Sequence, residues 1–125
     1  MVNKDYNKEI IEKWCNTDSY QEHQEKTKNY SKEKWITLEN EMNDIFNSFS
    51  EYMKQEKELN SIETQNLVKT LQNHISENYY LCTNDILLGL GQMYVSDERF
   101  KMNIDKNADG TAEYVYKAIK IYCNN

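Results

Sequence analysis

Residues 31–53 read SKEKWITLENEMNDIFNSFSEYM, and this stretch decides the fold. Ser31 offers an N-cap, and Trp35, Leu38, Met42, Ile45, Phe46, Phe49 and Met53 follow at three- and four-residue steps. That spacing places one apolar stripe along a helix of about six turns. Glu39, Asn40, Asn43, Asp44 and Asn47 fall on its other faces. Downstream lies the charged run Gln55-Glu56-Lys57-Glu58, read as a solvated helix end or loop. Asn60 or Ser61 then caps a second long helix, with Glu63 placed as in a capping box begun by Asn60. Its stripe is Leu67, Val68, Leu71, His74, Ile75 and Tyr79. Thr83 is the expected cap of a third helix, from Asn84 to about Val95. Ser96 is the expected cap of a short fourth helix, Asp97 to about Ile104. After Gly110, the residues Ala112, Val115, Ala118, Ile119 and Tyr122 mark the last helix.

Strands need turn residues every 8–12 positions or so, and a chain with no proline and three glycines lacks them. The fold class is all-α. At 125 residues the chain is expected to form a single domain spanning 1–125, because two halves would each lack a sound core.

Composition then excludes whole classes of function. A net charge of −6 and a pI near 5.0 oppose nucleic-acid binding by this chain. No apolar run approaches the ~18 residues of a membrane span, and the start Met1-Val2-Asn3-Lys4-Asp5-Tyr6 has no signal-peptide core. A cytoplasmic location and no membrane partner are expected. Cys15, Cys82 and Cys123 are odd in number and lack CxxC spacing, so a free thiol is expected rather than a disulfide framework or zinc site.

Mean hydropathy is −0.96, yet aromatic residues reach 12%, and ten of the fifteen are tyrosine. Tyrosine packs like an apolar ring and keeps a hydroxyl for water or a polar ligand. From Leu59 to Val95 the charged side chains are Glu63, Lys69, Glu77 and Asp85 alone, beside Tyr79, Tyr80, Leu81, Ile86, Leu87, Leu88, Leu90, Met93 and Tyr94. A helix apolar around most of its circumference is buried or lines a cavity. Residues 1–29 are the opposite: Tyr6, Ile10, Ile11, Trp14 and Tyr20 stand among dense charge. That thin apolar load is expected to order only against a ligand or partner.

Several motifs carry less than they promise. Asp105-Lys106-Asn107-Ala108-Asp109-Gly110 matches the opening of a calcium loop, but position twelve is Tyr116 where a bidentate Glu belongs. No metal is expected, and turn formation accounts for those residues. Gly89-Leu90-Gly91 begins like a dinucleotide loop, yet Tyr94 holds the third glycine's place and no strand precedes it. These glycines suggest close helix approach or room for a ligand. His74 reads as a core histidine with both nitrogens hydrogen-bonded, with a haem ligand as the sharper alternative; His23 is assigned nothing. Cys82, just before the Thr83 cap, lies where the helix end favours thiolate, and Asp85 opposes that shift. On spacing alone a quiet buried cysteine is the better account.

Several blocks together resemble one family. They are Trp14-Cys15-Asn16-Thr17 through Tyr20, Lys26-Thr27-Lys28-Asn29-Tyr30-Ser31-Lys32-Glu33-Lys34-Trp35, and Gly89-Leu90-Gly91-Gln92-Met93-Tyr94-Val95. Asp97-Glu98-Arg99-Phe100, Asn103-Ile104-Asp105-Lys106 and Gly110-Thr111-Ala112-Glu113 continue the pattern. From about Ile11 to Tyr122 the chain resembles the TipAS antibiotic-recognition domain, the effector half of certain MerR-family transcription activators.

The resemblance implies a globin-like helical domain without haem or other cofactor, whose cleft binds thiopeptide antibiotics. It implies an amino-terminal segment that folds over the ligand, and a cysteine, at the place of Cys82, that adds to a dehydroalanine of the drug. Some relatives bind other bulky aromatic compounds without a bond. Leu81 and Asn84 stand where relatives often carry proline, and Cys15 where glycine is usual. The expected cleft wall is Cys82, His74, Tyr79, Tyr80, Met93 and Tyr94, and the expected closing segment carries Trp14, Tyr20, Tyr30 and Trp35. Nothing turns over, so no enzyme and no catalytic residue are expected. The chain opens at the effector region with Met1 and without a winged helix-turn-helix. It is therefore read as a stand-alone, internally started or excised effector domain, monomeric in isolation. A non-covalent multidrug-sensing domain and a helical protein-interaction domain are the competing readings.

Overall fold

The computed structural model describes residues 24–124. Five helices follow one another: α1 (Lys32–Lys54), α2 (Ile62–Asn78), α3 (Asn84–Ser96), α4 (Glu98–Asp105) and α5 (Thr111–Cys123). A helical turn at 24–27 precedes them, and no strand occurs among the described residues. Helix α5 packs against all four others, while α1 pairs with α2 and α3 with α4.

The stripe of residues 31–53 becomes the centre of the core. Leu38, Met42, Ile45, Phe46 and Phe49 are buried, with Phe49 fully enclosed. Burying a side chain of that size contributes roughly 2–3 kcal/mol. Val68, Leu71 and Ile75 face them from α2, Leu87, Leu90, Met93 and Tyr94 from α3, and Ala112, Val115, Ala118 and Ile119 from α5. One polar pair sits inside. Ser50 and Thr111 share a 2.8 Å hydrogen bond, and Thr111 donates to the Ala108 carbonyl at 2.7 Å.

The helix starts are set by caps. Ser31, Ser61 and Thr83 each accept a backbone N–H from three residues on. Of the two candidates for the α2 cap, Ser61 takes the place, which puts Glu63 off the reciprocal position, so no capping box forms. One expectation shifts by a residue. Asp97, not Ser96, caps α4: its extended backbone (φ −94°, ψ 117°) ends α3 and starts α4 together. Aspartate caps as well as serine does, and Arg99 grips the same carboxylate at 2.8 Å.

The calcium-like segment works as a turn. Asp105 Oδ1 accepts the Ala112 N–H at 2.8 Å, its Oδ2 takes Lys101 at 3.1 Å, and Asn107 donates to Asn47 of α1. Gly110 adopts φ +91°, a region that disfavours residues with a Cβ. Gly91 answers the question of the helical glycines for its own position. A Cβ there would lie 3.0 Å from Tyr116 and 3.1 Å from Ile119 of α5, so the glycine permits close approach of α3 and α5.

Candidate functional site

The site gathers where the carboxyl end of α2 turns into α3. Helix α2 stops at Asn78, and the Tyr79 and Tyr80 N–H groups both donate to the Ile75 carbonyl, at 2.9 and 3.2 Å. That tight turn folds both tyrosines inward, and both are buried. Thr83 then caps α3 through the Ile86 N–H. Cys82 stands immediately before the cap, beside the positive end of α3 as its spacing implied.

An aromatic row flanks this turn. Tyr30 meets Trp35 edge-on at 5.4 Å between centroids, Trp35 meets Tyr79 at 6.0 Å, and Tyr79 meets His74 at 6.0 Å. Tyr30 donates its hydroxyl to the Asn78 carbonyl at 2.6 Å, and Lys26 donates to the Ser76 carbonyl, also at 2.6 Å. Both satisfy carbonyls that the end of α2 leaves open, and together they fasten residues 26–30 to that end. Trp35 lies in the first turn of α1, at the head of the stripe its spacing implied. Trp14 and Tyr20, with Cys15 and His23, lie outside the described residues.

The deeper wall is buried and mostly aromatic. Tyr94 lies between Phe46 at 5.5 Å and Phe100 at 5.9 Å, and Met93 is buried beside it. Burial pushes the Tyr94 phenol well above its ordinary range, with Cys82 and Tyr79 close enough to add to the shift. Tyr79 is raised chiefly by burial and then by Tyr30, Glu39 and Glu41. Tyr79, Cys82 and Tyr94 thus share one low-dielectric neighbourhood.

Cys82 is only 3% exposed, its thiol 3.9 Å from the Thr83 carbonyl, as the buried-cysteine reading of its spacing has it and not as a thiol open to a cleft. A thiol is a small hydrophobe and joins the core beside the tyrosines. One expectation changes here. His74, expected to have both nitrogens bonded, has one. Nε2 lies 3.3 Å from Glu41 Oε1, while the buried Nδ1 has no partner, in a side chain 9% exposed. The α1–α2 contact brings Glu41 to one edge of the ring only.

Two polar residues the sequence did not single out, Gln72 and Ser76, hold this turn together with Tyr122, which the sequence marked only as an apolar position of the last helix. The Ser76 hydroxyl accepts the Cys82 N–H at 3.0 Å, and Gln72 donates to the Cys82 carbonyl at 2.9 Å. Tyr122 of α5 donates to the other end of the Gln72 amide at 2.9 Å. The available signal was the i, i+4 spacing of Gln72 and Ser76 on the face flanking the apolar stripe. Cys123 is unbridged like Cys82 and contacts the Asn84 carbonyl at 3.4 Å. Its thiol is raised by burial first and by Asp85 second. Among the described residues no helix is long and apolar enough to cross a membrane, and no cluster of His, Cys, Asp or Glu could hold a metal ion.

The chain is 36% identical over 114 residues to the HTH-type transcriptional activator TipA of Streptomyces coelicolor, matching 91% of this chain and 45% of that protein. It is 35% identical over 124 residues to the HTH-type transcriptional activator mta of Bacillus subtilis, covering 99% of this chain and 44% of that protein. The chain therefore spans less than half the length of these curated relatives. Among solved structures it is similar to TipAS of Streptomyces lividans in complex with nosiheptide. The TM-score is 0.81 at 34% identity, with 96% of this chain and 84% of that chain covered. The fold is accordingly the globin-like helical one of TipAS. The TipAS antibiotic-recognition domain matches residues 6–122, nearly the whole length, and the chain belongs to that family.

Proposed function

We propose that the chain binds and sequesters thiopeptide or other bulky aromatic antibiotics against the turn between α2 and α3. Fused to a MerR-type DNA-binding domain, it would act as the effector module of transcription regulation. One observation carries the reading: in a chain of this family, a lone thiol stands before the α3 cap among Tyr79, Tyr80, Met93 and Tyr94. In the aromatic row, the half-buried rings of Tyr30 and Trp35, backed by the buried Tyr79, are the ones a flat-ringed ligand would meet first. Trp14 and Tyr20 are proposed to complete the closing segment, and His74 to contribute at the far end of the row. The chain acts alone, as a monomer without a cofactor, and turns nothing over.

Capture by Cys82 would be a Michael addition. The thiol loses its proton to water, sulfur bonds to the terminal carbon of a dehydroalanine as the double bond opens, and the adjacent carbon takes a proton from water. The bound pose supplies proximity, the larger part of the rate, and the α3 end favours thiolate. Because Cys82 is buried, a drug reaches it only when the side chains around it part. That burial favours a second reading, binding without a bond.

Intact-protein mass spectrometry with thiostrepton and nosiheptide tests both. The covalent reading expects one added drug mass, lost in Cys82→Ala. A thermal shift without added mass leaves the non-covalent reading, and no shift with any thiopeptide removes both.

A further inference from the structure

We infer that Gln72 and Ser76 are positioning residues for the Cys82 thiol, an inference that rests on the covalent reading above. The two residues lie one turn apart on α2 and grip Cys82 by its backbone from both sides. Ser76 Oγ accepts the Cys82 N–H at 3.0 Å, and Gln72 Nε2 donates to the Cys82 carbonyl at 2.9 Å. With both peptide groups held, the direction of the Cα–Cβ bond is fixed, and rotation about χ1 is the main freedom left to the sulfur.

The grip is itself oriented. A carbonyl can only accept, so Gln72 must turn its amide nitrogen toward Cys82, and that nitrogen also meets Asn84 Oδ1 at 2.9 Å. The amide oxygen is thereby turned toward Tyr122, whose hydroxyl donates to it at 2.9 Å and ties the arrangement to α5. Ser76 carries a second tie, since its carbonyl takes the Lys26 ammonium at 2.6 Å. One face of α2 thus joins the residues before α1, the cysteine turn and the last helix.

Bond formation needs the sulfur about 3–3.5 Å from the alkene carbon in the right direction, and a misplacement of about 1 Å can cost a hundredfold in rate. Loosening the turn spreads the sulfur over poses that bind the drug yet do not react. The drug's contacts with the aromatic row are untouched by that change, so affinity and rate should separate.

The test uses Gln72→Glu, which keeps an oxygen for Tyr122 and loses both donors, and Ser76→Ala beside the hydroxyl-retaining Ser76→Thr. Thiostrepton adduct formation is followed by time-resolved intact mass over a range of drug concentrations. Non-covalent affinity is measured for each change in a Cys82→Ala background. The expected result is a bonding rate lowered about tenfold or more in Gln72→Glu and Ser76→Ala, with affinity within about twofold. Ser76→Thr is expected to restore the rate. An unchanged rate overturns the inference, and so does a parallel fall in rate and affinity, which would mark a general folding role. If Gln72→Glu does not fold, the Ser76→Ala and Ser76→Thr pair decides alone. No adduct in the unaltered protein defeats the covalent reading itself, and this inference with it, an outcome distinct from an adduct that forms at the same rate in the variants.

Discussion

His74 shows how much one nitrogen can matter. Its ring is held between Tyr79 and Glu41, with Nδ1 buried and unpaired. An unsatisfied buried acceptor costs roughly 1–3 kcal/mol, whereas an apolar group of similar shape can be neutral or better. His74→Phe is therefore expected to leave stability unchanged or raise it by up to about 1 kcal/mol in urea titration. A clear loss would show that the Nε2 contact with Glu41, or a partner for Nδ1 in solution, outweighs that cost. Gly91 gives the opposite case. The space for its absent side chain is already occupied by Tyr116 and Ile119, so Gly91→Val should cost about 1–3 kcal/mol by overpacking. The same titration checks it, and a neutral result would mean α3 and α5 can move apart. At Asp97 the hydrogen bond from Arg99 holds the carboxyl below its ordinary 3.8. A depressed folded value means the contribution is complete above 3.8 and is lost as pH falls below it. Asp97→Asn, which keeps a capping side chain, should flatten that acid limb in a pH series of thermal melts.

At the scale of elements, caps carry the predictions. Thr83→Ala removes the acceptor of the Ile86 N–H and should cost about 0.5–2 kcal/mol. Thr83→Ser should recover most of it, read by the same denaturation. The helices themselves were legible in the sequence because stripes such as Leu38, Met42, Ile45 and Phe49 repeat with the helical period and have no strand alternative. The caps Ser31 and Thr83 were legible outright, and those of α2 and α4 only to within a residue. Asn60 beside Ser61, and Ser96 beside Asp97, are adjacent residues that cap about equally well, and tertiary contacts choose between them. Tyr79 was legible as part of the apolar stripe, Tyr94 in the apolar stretch 59–95 and Cys82 through the family resemblance, but the pattern left open whether these residues line a cavity or fill the core. Gln72 and Ser76 escaped notice for a physical reason. They act on backbone groups ten and six residues away, through hydrogen bonds that leave no imprint on hydrophobic spacing.

At the scale of the molecule, α5 is the shared support: among the described residues it touches each of the other four helices and reaches the cysteine turn through Tyr122. The interior it closes over holds Tyr79 and Tyr94, whose phenols are raised above their ordinary 10 mainly by burial. The folded chain keeps those protons more tightly than the unfolded chain does. Their contribution is thus complete below pH 10 and is lost as pH rises beyond it. Alkaline unfolding followed by circular dichroism should begin above that value, and Tyr94→Phe should move the transition to higher pH. No upward movement would show that the phenol ionises without unfolding.

The contact of Trp35 with Tyr30 and Tyr79 turns the row of rings into an optical gauge. A flat heteroaromatic guest laid against it would quench the indole emission or change its colour. With Trp14 replaced by phenylalanine, Trp35 is the sole indole left. Fluorescence titration would then report occupancy beside Tyr79 directly, whether or not sulfur chemistry follows.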